Sequence, residues 1–316
     1  MLSRLFISIF LLIITNCGPK PSVGESGRTN GKNIPKGILI EKEIKGTVLG
    51  LKLDHPGGLA GGDQNIIYLV DEGNNRIIRF DDSLVARSDT KGFGGGGGML
   101  DRPAYAWLDN SLNLVVADVG NRRLVWFDRQ LHFADELELI DDDDPLKYGS
   151  IVSVGVTEYG EIWATDWEMG RVALFENNGT FQSFVGDFGY SGGQLYKPEK
   201  IVADRHTGFY VCDAGNRRIV HYDGYGNFQD DLKDGLVEYP VSMALDKNGR
   251  WVIDGISGRL LYFDDKDRSQ FVTGPMIPGS NEPLSKPSDI ITLPDNRLLI
   301  SDTGNNRLLL CHVYFD

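Results

Sequence analysis

Apolar residues fall along this chain in short runs closed by Gly, Asn or Asp. Between Pro198 and Phe228 the runs are Ile201–Ala203, Phe209–Cys212 and Ile219–Tyr222, separated by turn residues at Arg205–Gly208, Asp213–Arg218 and Asp223–Asn227. Runs of this length predict short strands joined by hairpins, an antiparallel meander, with Phe228 opening a weaker fourth strand. A sustained helical period occurs only in the N-terminal run Leu5–Ile14.

The meander repeats. An Asp followed five residues later by an Arg occurs as Asp71/Arg76, Asp118/Arg123, Asp166/Arg171, Asp213/Arg218, Asp254/Arg259 and Asp302/Arg307, with successive Asp residues 47, 48, 47, 41 and 48 apart. A Pro precedes the Asp by 15 residues in repeats 1, 2, 4 and 6 (Pro56, Pro103, Pro198, Pro287) and by 14 in repeat 5 (Pro240), while Ile151 takes the place in repeat 3. Phe80, Phe127, Phe175, Tyr222 and Phe263 stand nine residues after the Asp, and Cys311 fills that slot in repeat 6. Six four-stranded meanders in one flat sheet would leave an aggregation-prone edge, whereas radial closure leaves only short, protected ones. The expected fold is therefore all-β: a six-bladed β-propeller of four-stranded antiparallel blades. Repeat 6 stops at Asp316 after its third strand, so residues 38–50 are expected to dock as the outer strand of the last blade. A β-solenoid is the alternative, but its coils are shorter and carry no hairpin pattern.

Repeats 1, 2, 4 and 6 read Asp-x-Gly-Asn-x-Arg, and two lead-ins align: Phe93-Gly94, Gly97-Gly98, Leu100 and Pro103 with Phe188-Gly189, Gly192-Gly193, Leu195 and Pro198. Over about residues 38–316 this pattern resembles the NHL repeat family. The resemblance implies a six-bladed propeller and, for most of the family, an interaction platform.

The N-terminus changes the picture of where the domain works. Arg4, the apolar run and Thr15-Asn16-Cys17 make residues 1–16 a secretory signal, too short to span a bilayer as a mature helix. Ile14 to Cys17 resembles a bacterial lipobox, which implies lipidation of Cys17; an ordinary signal with an incidental Cys is the alternative. Residues 17–37 read as the lipidated Cys and a flexible tether rich in Gly, Pro, Ser and Asn, and 38–316 as the propeller. The chain is then expected to be exported and lipid-anchored to a bacterial membrane, in the periplasm or at the cell surface, as a monomer. A net charge of -13 disfavours nucleic acid as a partner. Cys212 and Cys311 lie in non-adjacent repeats and are expected as buried free thiols.

Candidate chemistry is best sought where the repeats differ. The six Asp/Arg pairs, being repeated, are expected to hold turns: the Asp accepting from the turn's amides, the Arg closing a salt bridge. Gly94–Gly98 lacks the Lys-Ser/Thr and helix of a phosphate loop and reads as structural. Asp141–Asp144 reads as a solvated acidic loop rather than a calcium site. The residues before the blade-opening Pro are His55, Arg102, Ser150, Lys197, Tyr239 and Lys286, three permanent cations and a His at one end of the ring. They are candidates for an anion-binding mouth, or else simply solvate loop ends. Blade 3 loses Gly-Asn and places Trp167, Glu168 and Met169 at its tip, near Tyr148; blade 5 departs similarly with Ile256 and Ser257. Such a tip suits protein contact, unless Trp167 folds back to fill space. The leading expectation is a non-catalytic module binding a protein, peptide or glycan, without cofactor. The alternative is a metal-dependent enzyme, since peptide α-amidating lyases and gluconolactonase-type lactonases share six-bladed propellers; zinc or calcium stays open with it. The five His show no metal-ligand spacing.

Overall fold

The computed structural model describes residues 34–61, 66–90, 92–144, 147–204, 208–233 and 235–315. The expected signal, Cys17 and most of the expected tether lie outside these, as does the Arg205–Thr207 turn containing His206.

Six four-stranded antiparallel sheets account for the described body, apart from one two-stranded hairpin. Blade 4 is representative, with strands Pro198–Asp204, Gly208–Asp213, Arg218–Tyr222 and Phe228–Leu232 in sequential order. The first strands of the blades are Pro56–Gly61, Pro103–Leu108, Ile151–Val156, Pro198–Asp204, Pro240–Asp246 and Asp289–Leu293. Each touches the first strand of the next blade, and the sixth touches the first, so these strands line the axis of a closed ring. The propeller expected from the repeat is the fold observed.

Closure is made by Pro35–Lys45, antiparallel to the third strand of blade 6, Arg307–Phe315, with Ile38 opposite Val313 and Lys45 opposite Arg307. The closing strand thus begins at Pro35 and stops at Lys45, short of the expected residue 50. Gly46 and Gly50, both with φ of +88°, turn the chain into the small hairpin Thr47–Val48/Leu51–Lys52.

The hydrophobic core is divided among the blade interfaces. Trp163 and Val172 of blade 3 pack with Ile201, Phe209 and Tyr222 of blade 4, and five equivalent wedges join the other neighbouring blades. The aromatics nine residues after each Asp, and Cys311 in their place, are all at most 2% exposed and fill these wedges. Burial of such large side chains against a neighbouring sheet is the main driving force for ring closure. Cys212 and Cys311 are free and buried, as expected.

The Asp/Arg turn is a joint between blade and lead-in. In blade 4 Asp213 Oδ1 accepts from the amide of Tyr196, two residues before Pro198, while Oδ2 accepts from Asn216 and from Arg218 Nε at 2.8 Å. Arg218 continues to Asp231 on the fourth strand and to lead-in carbonyls of Ser191 and Gln194. Blades 1, 2 and 6 repeat the Asp–Arg bond, and in all four the residue after Gly-Asn is left-handed, closing a single 3-10 turn. The Gly of this turn is required by proximity: a Cβ on Gly215 would sit 2.5 Å from Tyr196 O. In blades 3 and 5, which lack Gly-Asn, Asp166 and Asp254 accept from amides of their own turns and also from lead-in amides, Gly149 for the one and Glu238 and Tyr239 for the other. Asp166 and Arg171 lie 3.5 Å apart, and Arg259 pairs with Glu238 instead of Asp254.

The Gly94–Gly98 loop is held by its own backbone, Gly94 N–H donating to Leu100 O, and by Arg123, which donates to Gly95 and Met99 carbonyls. The carbonyls of Gly94, Gly95 and Gly96 are thus taken up by Asn121, Arg123 and the Met99 amide.

Candidate functional site: an axial cup

Antiparallel order puts the pre-Pro residues and the Asp-to-Arg turns at one end of the ring and the remaining hairpin turns at the other. From the blade-opening position, successive first-strand residues form layers down the axis. The first layer is Gly57, Ala104, Val152, Glu199, Val241 and Ser288, and all six line one cavity of about 440 Å³. Five are small or aliphatic, and Glu199 alone carries a charge.

The next layer closes the cup. It holds Gly58, Tyr105, Ser153, Lys200, Ser242 and Asp289. Tyr105 reaches from blade 2 across the axis and donates to Val241 O and Ser288 O at 3.1 and 3.0 Å. Gly58 leaves room beside it, since a Cβ there would meet Ala104 O at 2.6 Å. Burial pushes the Tyr105 hydroxyl pKa far upward, so it remains a donor. Below, buried Lys200 of blade 4 pairs with buried Asp289 of blade 6. Asp289 also accepts from Ser242 at 2.5 Å and from Leu59 N–H at 2.6 Å. Ser153 and Ser242 likewise accept from Ile201 and Ile290 amides of the next blades. Inner strands do not pair with one another, and these side chains satisfy amides that would otherwise be orphaned.

Above the floor, the two irregular blades converge on the regular blade between them. Trp167 of blade 3 donates its indole N–H to Glu199 Oε1, and Tyr239 of blade 5 donates its hydroxyl to the same oxygen, both at 3.2 Å. Glu199 is half-buried, and burial raises its pKa against the opposing pull of these two donors and of Lys197. Tyr239 is pushed up to about 12 by burial and by Glu199. Lys197 rests over the rings of Trp167 and Tyr196, its Nζ 5.0 and 5.7 Å from their centroids.

The sequence-predicted site residues divide into three groups. Tyr239 and Lys286 line the cup, with Trp167 and Lys197 beside Glu199. Arg102, Ser150, Glu168 and Met169 line a separate recess of about 330 Å³ between blades 2 and 3. His55 is exposed and bonds Asp54 at 2.7 Å, and Arg102 lies 3.8 Å from Asp101. The three pre-Pro cations therefore do not form one uniform positive mouth, because Arg102 faces the acid that precedes it and Lys197 rests on aromatic rings. The residue missed from the sequence is Glu199. It sits one position past the Pro, and lining up that slot across the repeats would have isolated it as the only charged member. Among the described residues no group of three His, Cys, Asp or Glu side chains is placed to hold a metal ion.

No family model matches the chain. Protein brain tumor of Drosophila melanogaster is 24% identical over 102 residues, 32% of this chain; the chain spans only 10% of that protein's length. Among solved structures, a virginiamycin B lyase from Staphylococcus aureus superposes with a TM-score of 0.62 at 10% identity, over 88% of this chain and all of that one. A gluconolactonase from Xanthomonas campestris gives 0.59 at 17% identity, over 83% of this chain and 86% of its own. A chain of a nidogen/laminin complex gives 0.58 at 15% identity, over 72% of this chain and 82% of its own. At these identities the likeness shows the propeller fold alone.

Proposed function

We propose that this propeller, of the NHL type, is a non-catalytic binding module, exported and held to a bacterial membrane through Cys17. It presents the cup end of the ring to a protein, peptide or glycan. One observation carries the reading: the two blades that break the repeat, 3 and 5, both send an aromatic donor to Glu199, the one charged residue of the first layer of the cup. A departure from a structural repeat that converges on a single side chain is what selection for a ligand would leave. The nidogen/laminin likeness is to a propeller found in a protein complex, which agrees with a binding role.

The metal-dependent enzyme is the second reading, and the lactonase and lyase likenesses favour it through fold alone, which does not confer activity. Stoichiometric zinc or calcium in the purified protein would favour it.

Replacing Trp167→Ala together with Met169→Ala is expected to weaken partner capture about tenfold or more, the effect of losing one hot-spot residue, with the melting temperature unchanged. Undiminished capture by that variant would remove blade 3 from the binding face.

A further inference from the structure

We propose that the cup receives the cationic end of a Lys or Arg side chain borne by a protein or peptide partner. This rests on the reading that the cup end is the binding face, and it names what that face selects.

The wall supplies the first argument. Gly57, Ala104, Val152 and Val241 offer an apolar sleeve, suited to a hydrocarbon stem, and Glu199 is the single charge among the first-layer residues. A cavity of about 440 Å³ is within the range of small-ligand sites.

Glu199 supplies the second. Both of its protein donors, Trp167 and Tyr239, go to Oε1. Among the described residues Oε2 makes no hydrogen bond, so one oxygen is fixed and the other is available. Lys197, the nearest cation by charge effect, is not within ion-pair distance of Glu199 and lies on the aromatic rings instead. A half-buried carboxylate with an unused oxygen is stabilised by an incoming cation far more than by a neutral group.

Charge supplies the third. The charged residues lining the cup are Glu72, Glu199 and Lys286, two acids to one base. The floor holds no spare donor for an anion, because Tyr105 is committed to two carbonyls. The net charge of -13 also draws cations toward the molecule.

The test is selection of a displayed random-peptide library on the full mature chain, followed by synthesis of an enriched peptide. Enriched peptides are expected to carry Lys or Arg. Exchange of that residue for norleucine should weaken binding tenfold or more, and Glu199→Gln should do the same. Combined, the two changes should cost little more than either alone, since they remove one interaction. Gln keeps the acceptor that Trp167 and Tyr239 use, so the variant retains the local bonding. Enriched peptides without a basic residue, or norleucine peptides that bind as well, would overturn the cation assignment while the binding face stands. Failure to enrich any peptide would overturn this inference, and loss of partner capture in the Trp167/Met169 variant would then still decide the wider reading.

Discussion

Asp213 and Arg218 are each at most 4% exposed and joined at 2.8 Å, whereas Arg259 at the same place in blade 5 is 39% exposed in its side chain and pairs with Glu238. Removing one member of a buried pair strands its partner, at a cost of about 3–5 kcal/mol, while exposed pairs contribute about 0–1. Chemical denaturation should therefore show Arg218→Ala to be strongly destabilising and Arg259→Ala nearly silent; equal costs would mean the repeat position, not burial, sets the value. Glu199 differs in kind. Burial raises its pKa, so the folded protein holds the proton more tightly than the unfolded chain. Stability is then full below the ordinary Glu range and falls as pH rises through the interval up to the raised value. Glu199→Gln removes that loss, so its melting temperature should exceed the wild type at pH 8 and match it at pH 4. A gap that is constant with pH would contradict the assignment. The Asp/Arg pairs were legible in the sequence because repetition marks them. Glu199 is marked only by contrast, as the one charge in the slot after the blade-opening position across the six repeats, and its two aromatic donors come from positions that the repeat does not link to it.

Among elements, the closing strand shows how far pattern reading reaches. The sequence called for an outer strand before the first repeat, and Pro35–Lys45 provides it. Its register is set by chemistry visible only in three dimensions. Arg76, Arg123 and Arg218 each pair with an acid on the fourth strand of their own blade, Asp89, Glu136 and Asp231. In blade 6 the closing strand is the outer strand, and its Glu43 lies 3.5 Å from Arg307, beside Glu282 of the lead-in at 3.4 Å. Ile38, 4% exposed, inserts into the wedge between blades 5 and 6. Ile38→Ala should thus cost about 2–5 kcal/mol in equilibrium unfolding, like a residue of any central blade. A cost under about 0.5 kcal/mol, the range of an ordinary surface change, would show that the strand does not hold the ring. Blade 3 and blade 5 turns were recognised as exceptions from sequence. That Trp167 of the blade 3 turn and Tyr239, just before the first strand of blade 5, both reach Glu199 of blade 4 depends on ring order and side-chain length, which the repeat pattern does not encode.

At the scale of the whole molecule the two ends of the ring are unlike. One end carries the cup, its lip formed by Ile256, Tyr239 and Lys286, and the other carries hairpin tips such as Asp223–Asn227. Ile256 is 70% exposed at the lip and Tyr225 is 90% exposed at the far end, so either position accepts a photo-crosslinking residue without disturbing the core. The central claim is that ligand enters at the cup end. Cross-linking on intact cells from position 256 and from position 225 tests it most directly. The expected result is a partner adduct from position 256 that is lost in the Glu199→Gln background, with none from position 225; an adduct from position 225 alone would contradict it.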